Sequence, residues 1–192
     1  MEKISIRNAK FAKIGLHDFC KYVNKFKNTR EMTILEIGSY VGDSTQIFAN
    51  YFKKVIAIDP WENGYDENDQ SSYKYPMAII EAQFDGMRTN FQHIEKIKDK
   101  AENVVSKFAD NSIDIVYVDG LHSYDGVIND IKDWYCKVKN GGWLAGHDYK
   151  NKHHPGVEKA VHEIVGLPEM RFGDTSWILP KKTIVTRGGL KL

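Results

Sequence analysis

Cysteine is scarce: the 192 residues hold only Cys20 and Cys136, and neither has a CxxC partner or a neighbouring zinc-type ligand cluster. Both are expected as buried thiols. Net charge is nearly absent too. Lys plus Arg total 27 against 26 Asp plus Glu, which leaves no global field to gather nucleic acid or an anionic membrane. Long apolar runs are missing: nowhere do about 18 apolar residues follow one another, and the opening MEKISIRNAKFAKIGLHDF lacks an apolar stretch of signal-peptide length. A cytoplasmic chain with neither nucleic-acid nor membrane partners is expected. No internal repeat or low-complexity segment stands out.

What is present is the composition of a globular protein, 42% hydrophobic and 28% charged, at a length that suits one α/β domain spanning residues 1–192. Short β-branched runs read as buried strands at Thr33 to Ile37, Val55 to Ile58, Ile94 to Ile97, Ile113 to Val118 and Trp143 to Ala145. Amphipathic helices alternate with them. Leu16, Phe19, Cys20 and Val23 mark one within an N-terminal helical segment (1–30), and Ile47, Phe48, Tyr51 and Phe52 mark another. Tyr124, Val127, Ile128, Ile131 and Tyr135 share one helix face, and Val157, Ala160, Val161, Ile164 and Val165 repeat the pattern after Pro155. Repeated βα units imply a doubly wound sheet whose ligands lie beyond the carboxyl ends of the strands.

Residues 60–92 interrupt this rhythm. Pro60 to Tyr75 is aperiodic, acidic and rich in Tyr, and is expected as a mobile lid loop; Met77, Ile80, Phe84, Met87 and Phe91 then fall at helical spacing, as a core stripe does. Arg171 to Leu179 and the following residues suggest a terminal strand pair, with a Gly-containing tail from Lys181 to Leu192.

Two clusters carry chemistry. The first runs from strand to helix through Glu36-Ile37-Gly38-Ser39-Tyr40-Val41-Gly42-Asp43-Ser44, and a second strand ends at Asp59, 21 residues beyond Gly38. A carboxylate there can accept hydrogen bonds from both hydroxyls of a ribose. A nicotinamide site wants G-x-G-x-x-G with pyrophosphate on the helix N-terminus, but here Gly38 and Gly42 are separated by three residues and Asp43 would repel a pyrophosphate. A cationic sulfonium suits this acidic loop better.

The second cluster is Asp119-Gly120-Leu121-His122 after the fourth strand and Gly146-His147-Asp148-Tyr149 after the fifth. Neighbouring strands would bring Asp119 and Asp148 together as oxygen ligands for a hard cation such as magnesium, manganese or calcium. Coordination of an alcohol lowers the cost of deprotonating it, and His122 has the side chain to take the proton. Each residue also has a plainer reading: the glycines as a bare tight turn, Asp59, Asp119 and Asp148 as capping or loop carboxylates, His122 as a helix start.

The segment Glu36 to Ser44 resembles motif I of class I methyltransferases, particularly the Gly-Ala-Tyr-x-Gly-x-Ser form of catechol O-methyltransferases. The wider match, to the group with macrolide sugar O-methyltransferases, covers about residue 30 to residue 180. The resemblance implies a Rossmann-like three-layer sandwich, α/β, with a mostly parallel seven-stranded sheet and a terminal antiparallel strand. It implies S-adenosylmethionine as cofactor, with Glu36, Gly38, Ser39, Tyr40, Gly42 and Ser44 around its methionine part. Asp59 and Trp61 would hold the ribose, Lys100, Ala101 and Glu102 would lie near the adenine, and Asp119 would also border the cofactor. It aligns Asp119 and Asp148 with ligands of a divalent metal, expected as magnesium. His147 aligns with an adjoining ligand, where those enzymes usually carry an acid, and His122 with the catalytic base, acting with Asp119. The acceptor would be a hydroxyl of a small molecule or sugar, and a homodimer is common among such enzymes. The competing readings are a metal-independent N- or C-methyltransferase and a nicotinamide-binding Rossmann oxidoreductase.

Overall fold

The computed structural model describes residue 4, residues 10–67 and residues 69–182. Five parallel strands form the centre: β1 (Thr33–Ile37), β2 (Lys54–Asp59), β3 (Ile94–Lys98), β4 (Ile113–Val118) and β5 (Val138–Gly146). Two short strands, β6 (Met170–Arg171) and β7 (Trp177–Pro180), complete a seven-stranded sheet in the order β3-β2-β1-β4-β5-β7-β6, with β7 antiparallel to both of its neighbours. The order reverses between β1 and β4, which is the switch point where a doubly wound sheet opens a crevice.

Helices cover both faces: α1 (Lys10–Asn24), α2 (Asp43–Ala49), α3 (Ser71–Lys74), α4 (Met77–Arg88), α5 (Ala101–Val104), α6 (Tyr124–Tyr135) and α7 (Pro155–Ile164). Strand alternation divides the core between the two faces. On β4, Ile115 and Tyr117 pack with Leu16, Phe19 and Phe48 of α1 and α2, whereas Val116 and Val118 pack with Val127, Ile131 and Trp134 of α6. Ser123 caps α6 by accepting the Gly126 N–H, and Pro155 occupies the first turn of α7, where its missing N–H costs nothing.

Several expectations are adjusted. Cys136 is exposed, because α6 ends before it and its thiol lies beyond the buried face; only Cys20 is a buried thiol. β5 extends well before Trp143, through Gly141 at φ +71°. α2 ends at Ala49, so Tyr51 and Phe52 pack from the turn that follows. β3 is an edge strand with Ile94 alone buried. The segment 60–75 is not a bare loop: it contains α3, and its Asp66 is buried. The Gly-containing tail lies outside the described residues from 183 onward.

Register decides what the loops bring together. Ile37 pairs with Val118 and Val118 with Gly146, so Gly38, Asp119 and His147 leave three adjacent strands side by side. Backbone bonds tie these exits: the Asp119 N–H donates to the Ile37 carbonyl at 2.9 Å, and the His147 N–H to the Val118 carbonyl at 3.1 Å.

Candidate active site

The β1–α2 loop is shaped from beneath. Gly38 has φ +86°, and a β-carbon there would overlap the Asp119 carbonyl, so a side chain at this position would force the β1 and β4 exits apart. Gly42, also at φ +86°, is the N-cap of α2 and packs against Met87 and Phe84. Glu36 shares the strand face of Ile34 and is 0% exposed; it accepts hydrogen bonds from the hydroxyls of Ser39, Ser44 and Thr45. Burial pushes its carboxyl up to about 7 despite those three donors. Glu36 therefore anchors the loop from within the protein.

Asp59 pins the same loop from β2. One carboxylate oxygen accepts the Tyr40 N–H at 2.9 Å and the other the Trp61 N–H at 2.7 Å. Burial raises its pKa against these bonds. The Trp61 indole N–H donates to the Tyr40 carbonyl at 2.9 Å, while its ring packs on Phe84 and under the Lys96 ammonium. Tyr40 and Trp61 both adopt positive φ, at 46° and 45°, a conformation that bulky side chains accept only where surrounding bonds enforce it.

A cavity of about 370 Å³ opens above this loop, within the usual range for small-molecule sites. Of the sequence-predicted residues, Gly38, Ser39, Tyr40, Ser44, Asp59, Ala101, Asp119, His122, His147 and Asp148 line it. Glu36, Gly42, Trp61, Lys100 and Glu102 do not. The first three support the loop from behind, and Lys100 reaches Glu62 at 3.4 Å and the Tyr65 ring, both of which line the cavity. The lining carries carboxylates from every surrounding loop and, among the described residues, no Lys or Arg.

The second cluster closes one end of the cavity. Asp148 stands at φ +58°, with one carboxylate oxygen accepting the Asn151 amide at 2.6 Å. Its Oδ2 lies 2.8 Å from His122 Nε2 and 3.2 Å from His147 Nδ1. Asp119 Oδ1 lies 3.5 Å from His147 Nδ1 and 3.9 Å from His122 Nε2. Ligand atoms of Asp119, His147 and Asp148 all fall within 4.8 Å of one another, as do those of His122, Asp148 and His154. Burial opposes charge on both members of the central pair, but their mutual attraction wins. Asp148 is held well below the carboxylate range by His122 and His147, and His122 is pushed up to about 11 by Asp148 and Asp66.

Asp66 is the functional neighbour that the sequence did not single out. It lies in the acidic loop and is 4% exposed; its Oδ2 accepts both the His122 N–H at 2.9 Å and Nδ1 at 2.6 Å. Asp174, at the β6–β7 turn, also lines the cavity, with Oδ2 3.9 Å from His147 Nε2. The density of acids in 60–75 was a visible signal for Asp66; nothing in the sequence pointed to Asp174.

A family described as a methyltransferase domain matches residues 35–149. The chain is 32% identical over 140 residues to an uncharacterised protein of Acanthamoeba polyphaga mimivirus; the match covers 70% of this chain, and the chain spans 60% of the length of that relative. Among solved structures, the O-methyltransferase NovP superposes with a TM-score of 0.63 at 13% identity, over 89% of this chain and 79% of that one. CalS11, a TDP-rhamnose 3'-O-methyltransferase of calicheamicin biosynthesis, gives 0.59 at 13% identity, over 88% and 77%. At these identities the structural likenesses speak to the fold.

Proposed function

The chain belongs to this methyltransferase-domain family, and from that premise we propose that it transfers a methyl group from S-adenosylmethionine to a hydroxyl of a small molecule or sugar, with a divalent cation and a histidine base. One observation carries the reading: a glycine loop walled by acids and a cluster of Asp119, His122, His147 and Asp148 share a single cavity at the switch point of the sheet.

The donor chemistry fits both groups. Gly38, Ser39 and Tyr40 would hold the amino-acid part of the cofactor and Asp59 the ribose, in surroundings whose negative charge favours a sulfonium over a pyrophosphate. When bound, S-adenosylmethionine supplies an electrophilic methyl group. Asp119, Asp148 and His147 would hold the cation, which lowers the cost of ionising a hydroxyl. The same acidic lining, free of Lys and Arg among the described residues, favours a neutral acceptor over one bearing phosphate.

His122 serves as base through Nε2. Asp66 accepts the Nδ1 proton, which fixes the tautomer and leaves Nε2 facing Asp148. The carboxylates of Asp148 and Asp66 on either side of the ring favour its protonated form. With Asp148 holding the cation, Nε2 would release its proton to solvent and could then accept one from the hydroxyl. Asp66 keeps the ring in place meanwhile.

Isothermal titration with S-adenosylhomocysteine tests the cofactor assignment: micromolar binding to wild type, lost in Asp59→Ala, is expected. Absence of binding to wild type would overturn it. Turnover that persists in EDTA would favour a metal-independent N- or C-methyltransferase instead.

A further inference from the structure

His154 has no part in the function proposed above, yet it lines the cavity and faces His122, with ring centroids 4.2 Å apart and planes tilted by 31°. Its position is fixed by the loop entering α7: the His154 N–H donates to the Asn151 carbonyl, and Pro155 follows as the first residue of the helix. His122, Asp148 and His154 therefore present two imidazoles and one carboxylate within 4.8 Å of one another. The Asp119, His147 and Asp148 group has the opposite balance, two carboxylates and one imidazole.

Ligand type sorts cations. Imidazole suits zinc, copper, iron and nickel, whereas carboxylate and water suit magnesium, calcium and manganese. Bonds of about 2.0–2.2 Å at tetrahedral angles separate two ligands by roughly 3.3 Å, so His122 Nε2 and Asp148 Oδ2, in direct contact at 2.8 Å, would have to part for an ion to enter between them. Behind His122, the Asp66 carboxylate accepts from Nδ1 at 2.6 Å, the arrangement that steers the opposite ring nitrogen toward a metal. The oxygen of Asp148 that faces His122 is also the one that faces His147, so one atom is common to both groups.

We infer that His122, Asp148 and His154 form an imidazole-rich site for a zinc-class dication, which competes for Asp148 with the oxygen-rich cation site at Asp119, His147 and Asp148. The ion takes the position of the proton between His122 Nε2 and Asp148, and that proton passes to solvent. Occupation of the site needs only these side chains. Its consequence, inhibition by capture of the base and displacement of the activating cation, rests on the function proposed above.

The test is calorimetric titration of the full chain with Zn²⁺, and with Co²⁺ as a spectroscopic probe, on wild type, His154→Ala and Asp119→Ala, with circular-dichroism melting to verify folding. His154→Ala should weaken Zn²⁺ binding by more than about 100-fold, beyond what loss of an outer-shell partner produces, and should reduce the visible Co²⁺ bands. Asp119→Ala should shift Zn²⁺ affinity by less than about threefold while weakening Mg²⁺, as oxygen-ligand preferences require. If His154→Ala melts early, His154→Gln replaces it. Unchanged Zn²⁺ binding in a folded His154 variant overturns the site, as does loss of Zn²⁺ binding in Asp119→Ala with retention in the His154 variant. A wild type that binds Zn²⁺ as described but no S-adenosylhomocysteine would leave the site standing and overturn the methyltransferase reading alone.

Discussion

Glu36→Gln should make the protein more resistant to unfolding at neutral and alkaline pH than at acid pH, relative to wild type. Glu36 is fully buried, and its carboxyl is raised from an ordinary value of 4.5 to about 7, with burial the largest cause. Below pH 4.5 it is protonated in both the folded and the unfolded chain and costs nothing. Between pH 4.5 and 7 the unfolded chain has released the proton while the folded chain retains it, so stability falls as pH rises; above 7 the penalty is constant. At about 1.36 kcal/mol per pKa unit, the full penalty is about 3 kcal/mol. Glutamine cannot ionise, and the hydroxyls of Ser39, Ser44 and Thr45 can rotate to accept from its amide as well as donate to its carbonyl. Any loss from imperfect bonds is therefore a constant offset in pH. Urea unfolding of both proteins at intervals from pH 4.5 to 8 should show the difference moving toward the variant by about 3 kcal/mol. A pH-independent difference, or one that moves toward wild type, would refute the account of Glu36 as a carboxyl penalised by burial.

Gly38→Ala should destabilise the fold by about 2 kcal/mol or more, since it combines positive φ with overlap on the Asp119 carbonyl; urea unfolding checks this, and a loss below about 0.5 kcal/mol would mean the β1 and β4 exits can separate freely. Asp66→Asn should lower turnover about 10- to 100-fold, the usual scale for a carboxylate that orients a site histidine, and by clearly more than it weakens S-adenosylhomocysteine binding; an equal loss of both would assign Asp66 only to holding the loop. Phe19→Ala should cost about 3–5 kcal/mol, because its ring is fully buried and meets Tyr117 and Phe172 edge-on; a cost under about 1 kcal/mol would show that α1 repacks without it.

How much of this was legible in the sequence depends on whether a residue's neighbours are fixed by periodicity or by a chain excursion. Runs such as Ile113 to Val118 are buried on both faces, so they identify central parallel strands, and the right-handed βα rule then sets their carboxyl ends side by side. That is why Asp119 and Asp148, 29 positions apart, could be expected side by side before any coordinates. The same alternation held information about Glu36 that motif resemblance obscured. Ile34 and Glu36 share one face of β1, turned toward α1 and α2, while Leu35 and Ile37 share the other, so the carboxylate had to point beneath the loop rather than onto the cavity wall.

Asp66 obeys no such rule. It reaches His122 across 56 positions from a segment without a period, held by a bond from its own N–H to the Ser72 hydroxyl and by the short helix α3. Neither contact leaves a repeating trace in the sequence. Composition alone hinted at it, because an acid-rich stretch inserted between β2 and α4 must end over the carboxyl edge of the sheet, where β2 ends, and so over the crevice. A carboxylate buried there needs donors to offset the loss of water, and His122 supplies them to Asp66 through both its N–H and its ring. The loop's order and the protonation of His122 are thus two sides of one interaction: Asp66→Asn should loosen residues 60–75 as well as the ring, giving faster amide exchange across that segment than in wild type. Unchanged exchange there would mean that Ser72 and α3 hold the loop without His122.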